Sequence, residues 1–320
     1  MILKANDPSA IQTACELLRK GEIVAFPTET VYGLGADALN PYAVAKIFEV
    51  KKRPRFDPII VHVSDFFWVE NLVKKVPPEV KIITEKLWPG PLTILFEKNE
   101  KIPDIVTAGL PTVGIRMPSH HIAKRLIESF GRPVAAPSAN PFGYISPTKA
   151  SHVYRLLGDK IPIILDGGDS VYGIESTVIS IDEKKIRIHR FGAVTMEELS
   201  QFGEVVVATQ EKGVASPGQL PYHYAPNKPL KIVDGPQGIK NPFSSYLAFT
   251  NPEIPVNSKY IKVLTKNGDL REAASNFFSY LIELDRDDVE VIYAERIPEV
   301  GLGRAMMERL RKAEKKSLYT

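Results

Sequence analysis

The sequence predicts an α/β protein with a large N-terminal domain and a smaller C-terminal α/β domain. Three observations lead to this prediction. The length of 320 residues corresponds to about two domains at roughly 150 residues each. Short β-rich runs and helical patterns are mixed along the chain, and some of the runs are adjacent, which is typical of a mixed, twisted, open sheet. The composition changes after about residue 205, and a second strand-and-helix pattern follows the change.

The first domain, residues 1–205, contains clear start signals for helices. Asp7-Pro8 and Asn40-Pro41 each place an N-cap residue before a proline at the first helical position, and Ser119 is expected to cap a third helix. Cys15 lies on the apolar face of the first helix, which predicts a buried thiol. Strands are predicted at Glu22–Phe26, Ile59–Val63, Leu92–Phe96, Val113–Met117, Val134–Ala136, Ile163–Leu165, Thr177–Ile181 and Ile186–His189.

Residues 206–230 are predicted to link the two domains. Three prolines and two glycines between Gly213 and Pro226 disfavour regular structure, yet Tyr222, His223 and Tyr224 are unusual in a simple spacer. The C-terminal domain, residues 231–320, has predicted strands at Ile232–Val233, Tyr246–Phe249, Tyr260–Leu264 and Val289–Tyr293, and predicted helices at Leu270–Glu283 and Gly303–Lys315.

The composition excludes several classes of protein. Forty-one basic and 38 acidic residues leave a net charge of +3, too small for a nucleic-acid coat protein, so weak or no direct nucleic-acid binding is expected. One cysteine excludes an internal disulfide and a Cys-rich metal site. The chain has no Gly-Lys dipeptide for a Walker loop, no His-Glu-x-x-His and no Gly-x-Ser-x-Gly. Without a signal-peptide layout or a long apolar run, a cytoplasmic protein with no membrane contact is expected.

Two glycines raise the possibility of a dinucleotide fingerprint. Gly33-Leu-Gly35-Ala-Asp-Ala38 matches its loose form. However, Thr28–Tyr32 separates the glycines from the preceding strand, and the next helix begins only at Pro41, whereas the fingerprint needs strand, glycines and helix in direct succession. A Rossmann cofactor site is therefore disfavoured here.

Basic residues at a helix end leave two interpretations open. Lys51 and Arg53 could form a solvated basic terminus that complements the helix dipole. Alternatively they turn inward and bind phosphate oxygens, with Pro54 fixing their direction. Arg116, inside an apolar strand, needs an anionic partner from the protein or from a ligand. His62 raises the same question, and a satisfied core histidine is its default interpretation.

Hydroxyl and amide side chains follow predicted strands at several points. Ser138 and Asn140 come after Val134–Ala136, at the strand end where open α/β sheets bind ligands, although a local Ser or Asx turn is equally expected. The segment Pro27–Gly35 is rich in hydroxyls, and its alternative is a self-capped turn.

Taken together and in this order, these motifs resemble the YrdC-like family, specifically its two-domain threonylcarbamoyl-AMP synthases. The resemblance covers most of the first two hundred residues, and the segment 216–226 resembles the linker of the two-domain members. The motifs that carry it are Pro27-Thr-Glu-Thr-Val-Tyr-Gly-Leu-Gly35, Lys51-x-Arg53-Pro54, Pro58-Ile-Ile-Val-His62, Leu87-Trp-Pro-Gly-Pro-Leu-Thr93, Gly114-Ile-Arg-Met-Pro118, Ala136-Pro-Ser-Ala-Asn140 and Glu175-Ser-Thr-Val178.

The resemblance implies a YrdC-like N-terminal domain with a concave basic cavity and a Rossmann-like C-terminal domain. It also implies an enzyme that joins L-threonine, bicarbonate and ATP, accompanied by Mg²⁺, into threonylcarbamoyl-AMP with release of pyrophosphate. A downstream tRNA threonylcarbamoyl transferase would be its partner, acting on the adenosine next to the anticodon, and the linker would form an active-site lid. The implied catalytic residues are Lys51, Arg53, Ser138 and Asn140.

The same resemblance implies two sets of binding residues, whereas the metal ligands stay unknown. The ATP set is Lys51, Arg53, Asp57, Thr112, Ser138, Asn140, Ser146, Arg190 and Tyr224. The threonine set is Thr30, His62, Arg116, Ala136 and Ser176. Asp57 departs from the family, in which asparagine is common at this place. A carboxylate suits a phosphate site poorly unless it orients Arg53 or a metal ion.

Three other readings remain open at this point. One is an RNA-binding protein that uses the basic cavity. Another is carbamoyl transfer like that of the YrdC-like domain in hydrogenase-maturation proteins, whose Cys-rich zinc segments a chain with one cysteine cannot contain. A third treats the second domain as a docking platform for the downstream transferase.

Overall fold

The computed structural model describes residues 1–182, 185–208 and 223–317. Its N-terminal part is built around an 11-stranded mixed sheet with the strand order β1-β8-β2-β3-β7-β4-β6-β5-β9-β10-β11. The strands are β1 (Ile2–Lys4), β2 (Val24–Phe26), β3 (Gly33–Asp37), β4 (Val61–His62), β5 (Leu92–Glu97), β6 (Thr112–Arg116), β7 (Val134–Ala135), β8 (Ile163–Asp166), β9 (Thr177–Asp182), β10 (Lys185–Arg190) and β11 (Glu204–Val207).

Eight α-helices accompany this sheet in the described ranges. They are α1 (Pro8–Arg19), α2 (Pro41–Lys51), α3 (Phe66–Leu72), α4 (Pro78–Leu87), α5 (Asp104–Thr107), α6 (His121–Phe130), α7 (Ala150–Leu157) and α8 (Met196–Leu199).

The C-terminal part has a second, entirely parallel sheet. Its four strands lie in the order β12-β15-β13-β14, and two long helices pack with them. These elements are β12 (Leu230–Val233), β13 (Ser244–Ala248), β14 (Tyr260–Val263), β15 (Val291–Glu295), α9 (Leu270–Leu284) and α10 (Leu302–Ser317). The predicted α/β class, with a large mixed sheet and a smaller α/β domain, is confirmed.

All twelve predicted strands are present, and their ends differ from the predicted ends by at most two residues. Strands β1, β3 and β11 were not predicted. Strand β3 contains Gly33 and Gly35, the glycines of the loose dinucleotide fingerprint. This strand pairs antiparallel with β2. A Cβ at Gly35 would lie 2.7 Å from the ring of Phe26 and 2.8 Å from Val134, so close packing in the sheet explains this glycine.

Helix starts follow the predicted caps at two of three positions. Asp7 accepts from the backbone N–H of Ser9, and Asn40 accepts from that of Tyr42. The predicted cap at Ser119 is wrong, because His120 caps α6 through its Nδ1, which accepts from the N–H of Ile122. Helices such as α3 and α7 were not predicted, since short helices are stabilised by packing more than by local propensity.

Two apolar cores show how the parts of the molecule join. The main core lies within the large sheet and its helices. A second core combines residues before position 194, including Val31, Tyr144 and Ile174, with the apolar faces of α9 and α10. Cys15 is buried in a further core, as predicted, and burial raises the pKa of its thiol.

In the described residues, no helix combines the length and the apolar composition needed to cross a lipid bilayer.

Candidate active site

A cavity opens where several strands of the large sheet end. The empty space between its walls is about 540 Å³, part of which is open to solvent. Three arginines and several hydroxyls line it, and both side chains of the His223-Tyr224 pair close one side. The described lining residues are Thr28, Thr30, Val31, Gly33, Arg53, Ile60, His62, Arg116, Ala136, Pro137, Ser138, Glu175, Ser176, Arg190, His223 and Tyr224. All five residues predicted to bind threonine are among them.

Arg116, at the end of β6, has its anionic partner within the protein. Its Nη2 lies 2.7 Å from Oε1 of Glu29, and its Nη1 donates to Oγ1 of Thr30 at 2.9 Å. Burial opposes ionisation of Glu29, but the guanidinium of Arg116 outweighs it, so the pKa of this carboxyl lies below its ordinary value. The side chain is thus a charged donor held at the cavity wall.

His62, in β4, is a neutral group that faces the same cavity. Burial, together with the nearby charge of Arg116, lowers its pKa to about 3. Its Nδ1 is buried and has no hydrogen-bond partner among the described residues. One unpaired ring nitrogen at the cavity wall disfavours the default interpretation as a satisfied core histidine and leaves this nitrogen free for a ligand.

Arg53 is oriented by the residue whose role was in doubt. Its Nη2 lies 2.8 Å from Oδ2 of Asp57, while Nε and Nη2 donate to the carbonyl oxygens of Asp57 and Pro58. Both side chains are buried, and Arg53 faces the cavity. Asp57 itself is not among the described lining residues, so the structure places it behind Arg53.

Lys51 lies beneath the loop that carries Ser138 and Asn140. It is 1% exposed, and its Nζ donates to the carbonyl oxygen of Ser138 at 2.6 Å and to that of Asn140. Burial and the nearby Arg53 lower its pKa well below the ordinary value. A solvated helix terminus is therefore the wrong interpretation of this motif, although the Lys51 ammonium contacts carbonyls and not the cavity space.

The Ser138–Asn140 loop shows features of both predicted alternatives, the ligand-binding loop and the local turn. Ser138 lines the cavity. Asn140 points away and donates from Nδ2 to the carbonyl oxygens of Pro141 and Tyr144, as in a local turn. Asn140 thus fixes the loop from which Ser138 faces the cavity.

Four further predicted residues differ in their placement. Arg190 lines the cavity and donates to the carbonyl oxygen and the Oγ of Ser176. Tyr224 lines it as well, whereas Ser146 lies behind it and donates to Oε1 of Glu175 at 2.5 Å. Thr112 lies elsewhere, at a separate small cavity beside Pro58. Tyr222 lies outside the described residues.

The sequence motifs indicate no separate role for Glu29, Glu175 or Arg309. The two glutamates stand inside recognised motifs, but their pairing with arginines is a tertiary property. Arg309 pairs with Glu175 across 134 positions of the chain, and no local pattern signals such a contact.

The donor set of the cavity does not fit a magnesium ion held by the protein. Each carboxylate at or behind the wall, those of Glu29, Asp57 and Glu175, is in an ion pair with an arginine. In the part of the chain that the structure describes, no cluster of three or more acidic, His or Cys side chains could hold a metal.

Comparisons with known proteins agree with this architecture. A family model described as telomere recombination, which covers Sua5, YciO and YrdC proteins, matches residues 16–192, and one described as the threonylcarbamoyl-AMP synthase C-terminal domain matches residues 194–314. The threonylcarbamoyl-AMP synthase of Pyrococcus abyssi is 42% identical over 321 residues, covering 95% of this chain and 93% of that protein. That of Bacillus subtilis is 41% identical over 327 residues, covering 97% and 94%.

A solved structure also superposes on most of the chain. The crystal structure of Pyrococcus abyssi Sua5 complexed with L-threonine matches with a TM-score of 0.89 and 39% identity, covering 96% of this chain and 94% of that one. The two family models together match residues 16–192 and 194–314, and both relatives cover at least 95% of the chain. The chain belongs to the YrdC-like family, among its two-domain threonylcarbamoyl-AMP synthases.

Proposed function

We propose that the protein condenses L-threonine, bicarbonate and ATP into L-threonylcarbamoyl-AMP and releases pyrophosphate. The observation that carries the proposal is the convergence of Arg53, Arg116 and Arg190 on one cavity rich in hydroxyls. A cavity of fixed cations suits a reaction in which anionic substrates meet and negative charge builds on phosphoryl oxygens. The product would be used by a tRNA threonylcarbamoyl transferase for modification next to the anticodon.

Threonine would bind at the end of the cavity formed by Arg116, Thr30 and His62. Arg116 would bind the amino-acid carboxylate next to its partner Glu29, and the neutral His62 would accept or donate a hydrogen bond. The backbone at Ala136 and the hydroxyl of Ser176 complete this end. The Pyrococcus abyssi structure, which is complexed with L-threonine, supports an amino-acid site in this fold.

ATP would bind at the end formed by Arg53, Arg190 and Ser138. The arginines offer planar donor pairs to phosphate oxygens, and Ser138 offers a hydroxyl. Lys51, Asn140, Asp57 and Ser146 would act by holding these groups in place, because each of them bonds to protein atoms behind the wall. Magnesium would arrive with ATP as part of the substrate.

The reaction balances without a nucleophile from the protein. The threonine amine takes up the carbon of bicarbonate and water leaves, giving an N-carboxylate. A carboxylate oxygen then attacks the α-phosphorus of ATP, the bond to the β-phosphate breaks, and pyrophosphate departs. The chain's residues orient the two substrates and stabilise the charge, and this agrees with a cavity that contains no cysteine among its described lining residues.

Residues 209–222 of the predicted linker lie outside the described residues, and the part that follows them would help to protect the mixed anhydride from water. His223 and Tyr224 support this role, because both lie in the cavity wall and the His223 ring packs edge-on to Phe142 at 5.6 Å. Closed lids exclude water from reactive intermediates in this way.

The proposal is tested by measuring pyrophosphate release from ATP and bicarbonate with threonine, with serine and with no amino acid. We expect release that depends on both bicarbonate and threonine, and a product with the mass of threonylcarbamoyl-AMP. Pyrophosphate release that ignores the amino acid would contradict it. A gel shift with RNA that persists at moderate salt, without threonine-dependent turnover, would favour the RNA-binding alternative.

A further inference from the structure

Arg309 is a fully buried arginine of the C-terminal domain at the junction with the large domain. It is 1% exposed. Its Nε and Nη2 both lie 2.7 Å from Oε2 of Glu175, and its Nη1 donates to the carbonyl oxygens of Phe191 and Ala305. The guanidinium therefore has partners on both domains, and helix α10 carries it to the back of the cavity.

Its partner Glu175 lines the cavity in which the anionic substrates would meet. The other carboxylate oxygen of Glu175 accepts from the hydroxyl of Ser146. Burial opposes ionisation of this carboxyl, but Arg309 and Arg190 outweigh it and hold its pKa below the ordinary value. Glu175 is thus an ionised carboxylate. It would repel a phosphate in the cavity, and the charges of these two arginines reduce that repulsion.

Arg309 also contacts the second aromatic of the His223-Tyr224 pair. Its guanidinium lies 5.1 Å from the centre of the Tyr224 ring, and this ring stacks on Phe278 of α9 at 5.8 Å. Tyr224 has a φ of 65°, a conformation uncommon outside glycine, so surrounding contacts must hold it there. The C-terminal domain supplies two of those contacts, from Arg309 and Phe278.

We propose that Arg309 is a positioning residue for the reaction: it neutralises Glu175 and fixes Tyr224, so that the cavity can accept the phosphates of ATP. The C-terminal domain is then part of the active site, acting through one arginine that contacts no substrate. The inference rests on the proposed function for the identity of the anion.

The test compares ATP binding by Arg309→Met, Glu175→Gln and the double variant, measured by titration calorimetry, with the KM for ATP where turnover is present. Arg309→Met should weaken ATP binding at least tenfold, because an unpaired carboxylate then faces the phosphates. The double variant should bind ATP within about threefold of Glu175→Gln. Arg311→Met is the matched control, since this arginine is half exposed, pairs with Glu299 and should leave binding unchanged.

A pH series separates charge compensation from packing. In Arg309→Met, burial should raise the pKa of Glu175, and among the described residues Arg190 and Tyr224 are the other titratable groups that act on it. ATP binding by this variant should therefore improve as the pH falls from 8 to 6, whereas the double variant should show no such recovery.

Unchanged ATP affinity in Arg309→Met, or a double variant as weak as Arg309→Met, would overturn the inference. If Arg309→Met does not fold, the double variant decides: folding with near-normal affinity supports the inference, and failure to fold overturns it. Because ATP binding is measured directly, a wild type that binds ATP without releasing pyrophosphate would overturn the proposed function and leave this test intact.

Discussion

Single residues around the cavity show how buried charge is controlled. Glu29, Asp57 and Glu175 each pair with one arginine, so the wall contains compensated pairs and not isolated charges. Removing one partner of a buried pair typically costs about 3–5 kcal/mol, because the other charge is left without compensation. Substitutions in this cavity therefore affect stability as well as binding, and the two effects must be separated by design.

The pair of Arg53 and Asp57 allows that separation. Arg53→Met should lower pyrophosphate release at least a hundredfold and reduce the free energy of unfolding by about 3 kcal/mol. Adding Asp57→Asn should recover much of the stability and none of the activity. Urea unfolding and the pyrophosphate assay measure the two effects.

Asp57→Asn alone is the control for this prediction. It should keep activity within about tenfold of the wild type, since Arg53 retains its bonds to the carbonyl oxygens of Asp57 and Pro58. Full activity in Arg53→Met would contradict the phosphate role of this arginine.

His62 should make stability depend on pH. Its pKa is about 3 in the folded protein and about 6.5 when unfolded, so the unfolded chain binds the extra proton as the pH falls. Stability from the neutral ring is thus present above pH 6.5 and is lost progressively toward pH 3. Between pH 7 and pH 5 the loss from His62 should be about 2 kcal/mol.

The measurement is urea unfolding at both pH values for the wild type and for His62→Gln. The variant should lose about 2 kcal/mol less than the wild type over this interval. Equal losses in the two proteins would show that His62 is protonated in the folded state at pH 5, and this would contradict a neutral ring in the cavity wall.

At the scale of elements, helix ends determine where the site residues point. Helix α2 ends at Lys51, and Lys52 then adopts the left-handed conformation with φ 53°. This turn lets Lys51 point under the Ser138 loop while Arg53 points into the cavity. The sequence indicated the helix and the break at Pro54. It left open whether the cations face inward, because Lys and Arg are favoured both at a solvated helix C-terminus and in a phosphate-binding site.

Lys52→Gly should stabilise the protein by about 0.5–1 kcal/mol, because glycine adopts a positive φ without the steric cost of a side chain. Activity should be unchanged, since Lys52 is exposed and occupies the variable position of the motif. Thermal unfolding provides the measurement.

Lys20→Gly is the matched control, because Lys20 also caps a helix but has a φ of −78°. It should give no stabilisation. A gain of equal size in both variants would show that the backbone at Lys52 is not the cause.

At the scale of the whole molecule, the two domains share a core and a network of hydrogen bonds. Val31, Tyr144 and Ile174 pack with α9 and α10. Asp285, at the end of α9, accepts from the hydroxyl of Tyr144 at 2.6 Å and from the backbone of Asn227 and Lys228. Asp285 therefore connects helix α9 both to the large domain, at Tyr144, and to the chain segment that precedes β12, at Asn227 and Lys228.

We therefore expect one cooperative unfolding transition for the full chain in scanning calorimetry. Tyr144→Phe removes the hydrogen bond to Asp285 and should cost about 1.5–3 kcal/mol, lowering the midpoint without splitting the transition. Two separate transitions in the wild type would contradict a shared core.

The sequence by itself determined the α/β class and most of the strands in the described residues, since apolar periodicity and caps are local properties. The order of its motifs also indicated the family. Only the tertiary structure decided which charges are paired: Arg116 with Glu29, Arg53 with Asp57, and Arg309 with Glu175. Two of these pairs join residues more than 80 positions apart, and whether a buried charge is compensated depends on distances in space that no local pattern contains.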